Sequence, residues 1–211
     1  MNINFDRELE KIKEQIDVNN PPRLLLHACC APCSTYCLTQ LLRHFDVTLY
    51  YANDNITDGE EWSKRLHEVE KLVEIVNGNA FVARAIRPLK LVTQPLDAAR
   101  FFAVAKGKEK EKEGGARCND CFTLRLNDTL KFAADNGFEY FGTTLTVSPY
   151  KNSKLLNEIG LSLQTDAVKW LPADFKKRDG YKQSVELSQK YGLYRQHYCG
   201  CVYSLHIPSD A

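Results

Sequence analysis

The chain lacks any apolar run of the roughly 20 residues that a membrane-spanning helix needs. It also lacks an excess of either charge, because 28 Lys and Arg residues stand against 27 Asp and Glu residues. No global field therefore favours nucleic acid or an anionic membrane, and a polyanion would have to bind a local basic patch. The N-terminal segment MNINFDRELEKIKEQ is charged and amphipathic, without the apolar core of a signal peptide. We expect a cytoplasmic protein with no membrane association.

Cysteine, by contrast, is abundant, with eight residues in a chain of 211. A small secreted protein would use them as a disulfide framework, but a chain of this length can be stabilised by its core without cross-links. In a reducing cytosol, closely spaced cysteines more often bind metal or carry out redox chemistry. The cysteine content therefore predicts a metal or redox site.

The order of apolar patterns predicts an α/β fold, a parallel sheet flanked by helices. Short apolar or β-branched segments indicate strands over 24–27, 46–53, 79–86 and 139–148. Helical spacing or helix-start signals follow at the turn containing Pro32, over 59–77, over 118–137 and late in LPADFKKRDGYKQSVELSQKYG. The alternating charges of KGKEKEKEGG predict a solvated loop. We expect a single α/β domain over 1–211, with a C-terminal tail over 199–211 that carries a CGC motif.

Two cysteine pairs have the spacing of a metal cage. Cys29 and Cys30 directly follow the first predicted strand, so they point to the crevice where ligands collect in open parallel sheets. Cys118 and Cys121 lie one helical turn apart near a helix start, whose dipole favours thiolate. These four sulfurs suit an iron–sulfur cluster, and the alternative is structural zinc, which also takes four sulfurs.

The motif Cys199-Gly200-Cys201 indicates different chemistry. Sulfurs two residues apart can bond only through a tight turn, which glycine permits, and such a strained disulfide is easily reduced. Arg195 and His197 are close in sequence and would favour the thiolates. We interpret the pair as redox-active, and the alternative is that it completes a metal site.

The two remaining cysteines lie on the helix predicted after the first strand. Cys37 falls one turn beyond Cys33, and its position predicts a buried core residue, as is common for free cysteine. Cys33 is closer to the predicted site and stays unassigned.

Five segments occur in order along the chain: HACCAPCS, GGARCNDCFTLRL, TTLTVSPYKN, LPADFKKRDGY and YRQHYCGCVYS. Together they resemble the QueH type of epoxyqueuosine reductase, from about Leu24 to Ser204, and the combination of CCAPC, RCxxC and YCGC is highly specific. The resemblance implies removal of the epoxide oxygen from epoxyqueuosine at the tRNA anticodon wobble position, the last step to queuosine. It also implies a HUP-type fold, similar to adenine nucleotide α-hydrolases, with the cysteine turn in place of a glycine-rich phosphate loop.

The resemblance also implies the roles of the cysteines. It assigns a 4Fe-4S cluster to Cys29, Cys30, Cys118 and Cys121, and a redox-active pair, able to form a disulfide bond, to Cys199 and Cys201. A mononuclear metal ion beside the cluster is implied as well, without assigned ligands. The partners would be tRNA carrying epoxyqueuosine and an electron donor.

The chain departs from the family pattern in two places, neither of which includes a cysteine. Asp54 follows Asn53 where the family usually has a proline, and PLKLVTQPLDAARFFAVAKGKEKEKE replaces the more usual aromatic-acidic stretch. Two other functions stay open. A cluster-dependent tRNA sulfur-transfer enzyme would need ATP, and the lack of a glycine-rich loop after the first strand counts against it. The other is a non-catalytic zinc-binding module.

The predicted reaction also needs protons and a place for tRNA. Converting an epoxide to an alkene plus water takes two electrons and two protons, and Asp120 or Tyr198 would supply a proton because they adjoin cysteines. Local phosphate contacts are expected from Arg117, Lys151, Lys154, Lys176, Lys177 and Arg178. Stacking on unpaired bases is expected from the interleaved Tyr150, Phe175 and Tyr181.

Overall fold

The computed structural model describes residues 3–80 and 85–205. Its sheet consists of β1 (Arg23–His27), β2 (Asp46–Tyr51), β3 (Lys90–Thr93), β4 (Tyr140–Thr143) and β5 (Lys169–Trp170). The strands are all parallel and lie in the order β3-β2-β1-β4-β5. This is the order of doubly wound α/β sheets, in which the topological switch point lies between β1 and β4. The predicted fold class is confirmed.

Helices cover both faces of this sheet. They are α1 (Phe5–Gln15), α2 (Ala31–Leu41), α3 (Gly59–Ile75), α4 (Ala98–Ala105), α5 (Ala116–Asp135), α6 (Ser153–Leu163) and α7 (Gly180–Lys190). The central strand β1 is buried on both sides, and its side chains alternate between two apolar clusters. Leu24 and Leu26 pack with α2 and α3, whereas Leu25 packs with α5 and α6. The core therefore fixes β1, and the residues that follow it, from both sides.

The helix ends that border the site have local sequence causes. Pro32 occupies the first turn of α2, where its missing N–H costs no hydrogen bond. The Asp58 carboxylate caps α3 by accepting hydrogen bonds from the backbone N–H groups of Glu60 and Glu61. These signals place the starts of α2 and α3 at the carboxyl edge of the sheet.

Most predicted elements are confirmed, with three differences. The strand predicted over 139–148 ends at Thr143, and a 3-10 turn over Thr144–Val147 follows it. The strand predicted over 79–86 falls largely on 81–84, outside the described residues, while Val76–Ala80 is a π-helical turn. Among the described residues, the third strand is Lys90–Thr93, which pairs with β2 and was not predicted. The elements β5, α4 and α6 were not predicted.

The solvated loop and the expected lack of a membrane span can also be compared with the structure. The segment 106–115 forms turns and is mostly exposed, as its alternating charges predict. Among the described residues, no helix is both long and apolar enough to cross a bilayer.

Candidate metal and substrate site

The first group of thiols lies at the switch point of the sheet, directly after β1. The Sγ atoms of Cys29 and Cys30 are 3.7 Å apart, and Cys33 joins them on the first turn of α2. The three sulfurs lie within 4.8 Å of one another, which suits a metal ion. The Cys29 Sγ also lies 3.9 Å from the Thr144 Oγ1, just beyond β4. The helix start adds a favourable field for thiolate.

The three thiols differ in pKa. Hydrogen bonds from Cys30 and Cys33 lower the pKa of Cys29 well below its usual range, and Lys151 and Arg125 add to this. The contact with Cys29 raises the pKa of Cys30 to about 12. The pKa of Cys33 is raised for the same reason. Cys29 is therefore the sulfur that ionises first, and it offers a thiolate ligand or nucleophile.

The second group of thiols combines the start of α5 with the C-terminal segment. Cys118, Cys121, Cys199 and Cys201 line one small cavity, together with Tyr150 and Lys151. Cys121 and Cys201 are buried there against Phe101. Burial raises the pKa of Cys121 to about 12, so without a metal this thiol is protonated. Such a set of sulfurs can bind metal or exchange disulfides.

The structure groups the predicted ligands in a way that spacing did not indicate. Cys29 and Cys30 lie in one group with Cys33, whereas Cys118 and Cys121 lie in the other with the CGC cysteines. Among the described residues, only Cys29, Cys30 and Cys33 meet the distance for a shared single ion. Cys37 is fully buried, and its Sγ lies 3.2 Å from the Cys33 carbonyl oxygen, which confirms its core position.

The CGC segment makes the tight turn that its glycine predicts. Gly200 has φ +114°, and an added Cβ would lie 2.9 Å from Ile56 and 3.0 Å from Arg65. Cys199 and Cys201 are free thiols, as are the other six cysteines. The disulfide bond expected between Cys199 and Cys201 is therefore not formed in this structure.

A buried arginine on α3 holds the CGC segment in place. Arg65 is 1% exposed, and its Nε donates to the Glu61 carboxylate at 2.6 Å. Its other nitrogens donate to the carbonyl oxygens of Cys199 at 3.0 Å and Tyr198 at 3.4 Å. Sequence analysis missed Arg65 because a charged residue in an amphipathic helix normally indicates the solvated face.

A second buried network ties α5 to the strand ends. Arg125 donates through Nε to His27 Nε2 at 3.2 Å and through Nη2 to Asn53 Oδ1 at 2.6 Å. His27 Nδ1 therefore carries the hydrogen and donates to the Thr143 hydroxyl at 3.0 Å. Asn53 in turn donates to the Ala28 carbonyl at 2.9 Å. The network fixes α5 against the turn that carries Cys29.

A cavity of about 720 Å³ opens beside both thiol groups. Cys29 and Cys33 line it from one side and Cys199 from the other. Its further lining includes Tyr150, Tyr181, Tyr198, Arg125, Arg195 and Lys112. A volume of this size is typical of sites that bind one small molecule or one extruded nucleotide.

The predicted phosphate-binding residues are only partly gathered at this cavity. Lys151 lines both cavities, and although burial disfavours its charge, the nearby Cys199, Cys29 and Cys33 raise its pKa. Lys154 is exposed and pairs with Glu158 at 3.7 Å, and Lys177 is exposed. The other two candidates have partners inside the fold. They are Lys176, which donates to the Lys151 carbonyl, and Arg178, which pairs with Asp6 and Glu10 on α1.

The remaining candidates divide in the same way. Asp120 pairs with Lys108, whereas Tyr198 lines the large cavity, where burial, followed by Glu61, raises its pKa. Arg117 is buried and donates to carbonyl oxygens of the 108–111 loop. Among the aromatic candidates, Tyr150 is 66% exposed and Tyr181 is 37% exposed at the cavity, while Phe175 is a core residue.

Comparison with known proteins identifies the family to which this chain belongs. The family model described as "Epoxyqueuosine reductase QueH" matches residues 24–206, which include both thiol groups. The chain is 41% identical over 206 residues to the epoxyqueuosine reductase QueH of Staphylococcus aureus, covering 96% of this chain and 84% of that protein. The chain belongs to the QueH family. This QueH chain is therefore an enzyme of the oxidoreductase class, and the resemblance seen in the sequence is confirmed.

Other relatives give the same result at greater distance. The QueH of Streptococcus pyogenes is 41% identical, with 96% of this chain and 78% of that protein covered. The QueH of Thermotoga maritima is 33% identical, with 86% of this chain and 90% of that protein covered. The similarity to these QueH proteins thus spans 86–96% of this chain and 78–90% of the relatives.

Proposed function

We propose that this protein reduces epoxyqueuosine to queuosine at the wobble position of the tRNA anticodon. The reaction removes the epoxide oxygen as water and leaves an alkene, which consumes two electrons and two protons. Membership of the QueH family supports the reaction, and the cavity between the two thiol groups supports the site. We place the activity in the cytoplasm and in a single domain over 1–211, with the tail over 199–211 as its redox segment.

The observation that carries this proposal is the lining of the 720 Å³ cavity. Thiols from both groups face a space suited to one extruded nucleotide, so the epoxide can approach sulfur or metal. Tyr150 and Tyr181 at the cavity suit stacking on bases. Arg195 and Lys112, with Lys151, suit contacts to phosphates. Lys154 and Lys177 are exposed and would add further phosphate contacts. Lys176 and Arg178 contact other parts of the protein and would support the site only indirectly.

The thiols fit a metal cofactor by their chemistry, since closely packed buried sulfurs ligate iron–sulfur clusters and zinc alike. We propose that Cys29, Cys30, Cys118 and Cys121 hold a 4Fe-4S cluster, with Cys33 as the neighbouring sulfur. When bound, such a cluster supplies electrons one at a time. The adjacent mononuclear metal ion remains part of the proposal, and we assign no ligands to it.

The CGC pair can supply the electrons and protons that the reaction consumes. Oxidation of the Cys199 and Cys201 dithiol to a disulfide releases two electrons and two protons, the number that the epoxide needs. An external electron donor then returns two electrons and regenerates the dithiol. The segment is suited to this cycle because the φ of +114° at Gly200 already bends the backbone tightly.

The proton that reaches the departing oxygen has a better source than Asp120. Asp120 is ion-paired with Lys108, whereas Tyr198 lines the large cavity and carries an O–H group. We propose Tyr198 as the acid, and the loss of Asp120 should affect the reaction less.

The test is reduction of tRNA under anaerobic conditions. Iron-reconstituted protein is mixed with tRNA carrying epoxyqueuosine and with dithionite, and the digested nucleosides are analysed by mass spectrometry. We expect queuosine to form and Cys29→Ala to abolish it, while Cys37→Ala, whose thiol is in the core, retains activity. Unchanged epoxyqueuosine with fully loaded wild-type protein would refute the proposed reaction. If Cys29→Ala remains fully active, the reaction can stand but the site is elsewhere.

A further inference from the structure

The described part of the chain buries three arginines, and they differ in what balances their charge. Arg65 is ion-paired with Glu61 at 2.6 Å. Arg117 donates to three backbone carbonyl oxygens of one loop and lies over the Tyr203 ring at 4.6 Å. Arg125 is 2% exposed, and its hydrogen-bond partners are the side chains of His27 and Asn53. Among the described residues, no carboxylate forms an ion pair with Arg125.

Both partners of Arg125 are neutral. Asn53 carries no charge, and the His27 ring is neutral because its Nε2 accepts the hydrogen bond from the Arg125 Nε at 3.2 Å. The guanidinium remains charged at any physiological pH. Burying such a charge is costly unless an anion compensates it. The fold therefore holds a permanent positive charge that, among the described residues, no carboxylate balances.

The position of Arg125 indicates where that anion belongs. Arg125 lines the large cavity together with Cys29 and Cys33. Its charge also acts on Cys121, which lies one helical turn earlier on α5. It thus lies between the two thiol groups, where ligating sulfurs would bring negative charge.

We propose that Arg125 is the fixed counter-charge of an anionic, thiolate-ligated metal centre formed between the two thiol groups. The proposal deepens the function proposed above and rests on its thiolate-held centre. Reduction adds one electron to the centre, so a nearby fixed cation stabilises the reduced form. Arg125 is on this account a positioning residue for charge, and it need not touch the substrate.

A purely structural role gives different expectations. In that case Arg125 would only tie α5 to the strand ends, and any substitution in the network would have a similar effect. His27→Gln is the matched control, because it alters the same network but removes no charge. Arg125→Lys keeps the charge, Arg125→Gln removes it, and Asn53→Asp neutralises it by adding a carboxylate at the existing hydrogen bond.

The first measurement uses metal-free protein at low salt. The rates of alkylation of Cys29 and Cys33 by anionic iodoacetate and neutral iodoacetamide are measured, and their ratio cancels thiol reactivity. We expect the ratio to fall about threefold or more in Arg125→Gln and in Asn53→Asp, because the local positive potential is lost. It should stay near the wild-type value in Arg125→Lys and His27→Gln. Equal ratios in all five proteins would overturn the proposal, even if no metal is ever bound.

The second measurement is the reduction potential of iron-loaded protein, followed by its visible spectrum. We expect the potential of Arg125→Gln to become more negative by about 59 mV or more, the equivalent of a tenfold change for one electron. The potential of Asn53→Asp should also become more negative. This variant tests the effect of the Arg125 charge even if Arg125→Gln does not fold. A potential that moves as far in His27→Gln as in the charge variants would make the role structural. Loss of iron in the wild type would instead count against the cluster, and the alkylation ratio would still decide the role of Arg125.

Discussion

The thiols that follow β1 and the thiols of the CGC motif are held by different kinds of interaction. Cys29, Cys30 and Cys33 follow the central strand β1, whose neighbours on both sides and two apolar clusters fix its position. Cys199 and Cys201 lie on an irregular segment whose Cys201 packs against Phe101 of α4, and polar contacts attach the segment to α3. These include Arg65 to the Cys199 carbonyl, Glu68 to the Tyr194 N–H and Lys71 to the Gly192 carbonyl.

This difference separates a rigid site from an adjustable one. Strand pairing and buried apolar contacts open only with much of the fold, whereas a segment held by side chains opens locally at lower cost. A metal cage benefits from fixed ligands, since it must hold several sulfurs in place at once. A dithiol that cycles through a disulfide must instead change its geometry. This contrast favours metal binding by the thiols at the strand end, together with Cys118 and Cys121 on the regular helix α5, and redox cycling by the thiols of the tail.

The largest expected effect comes from removing a thiol of the rigid site. We expect wild-type protein purified without oxygen to be brown, with about four irons per chain. Cys29→Ala should lose most of this iron. Cys37→Ala, which removes a thiol of the same helix, should keep its iron and cost about 1 kcal/mol of stability by leaving a cavity. Iron analysis and urea unfolding measure both, and full iron in Cys29→Ala would contradict the assignment.

A smaller effect is expected at the attachment of the tail. Arg65→Ala leaves Glu61 without its ion-pair partner and should lower the free energy of unfolding by about 3 kcal/mol. Hydrogen exchange over 193–201 should increase more than exchange in β1. The control is Arg178→Ala, because Arg178 is also ion-paired but 49% exposed, and its loss should cost under about 1 kcal/mol. Unchanged exchange in the tail of Arg65→Ala would show that other contacts attach it.

The smallest expected effect is a pH dependence at the rigid site. The pKa of His27 is about 3 in the fold and 6.5 as its ordinary value, so only the unfolded chain binds a proton between these values. This contribution to stability is fully present above pH 6.5 and is lost as the pH falls towards 3. The loss is about 1.4 kcal/mol per pH unit. The free energy of unfolding by urea should therefore depend less on pH in His27→Gln than in the wild type between pH 6.5 and 5. If the two proteins show the same pH dependence, His27 does not cause it.

The sequence predicted the centre of the fold better than its edges. The strands β1 and β2 are continuous apolar runs because both faces of the sheet are covered, and such runs are easily detected. The edge strand β3 is half-exposed, and β5 is only two residues long, so neither has a clear pattern. Helix α4 lies in the segment where the chain departs from the family pattern.

Some residues of the site could likewise be predicted from the sequence, and others could not. The approach of Cys29 and Cys30 to the switch point followed from the end of β1, and the tight turn of the CGC motif followed from Gly200. The closeness of Cys33 was available in principle, because the first turn of a helix returns to its start. Arg65 and Arg125 could not be recognised, since a single sequence does not distinguish a buried charge from a solvated one. Only the spacing of Arg125, one turn beyond Cys121, gave a signal.

The account assigns metal binding and redox cycling to different cysteines. The most direct test of this claim is the double substitution of Cys199 and Cys201 by Ser. Serine preserves size and a polar hydrogen, so the segment should keep its place. We predict that iron content and visible spectrum stay nearly intact, while reduction of epoxyqueuosine in tRNA collapses because the dithiol is gone. Loss of iron from the double variant would contradict the account, because the CGC segment would then belong to the metal site.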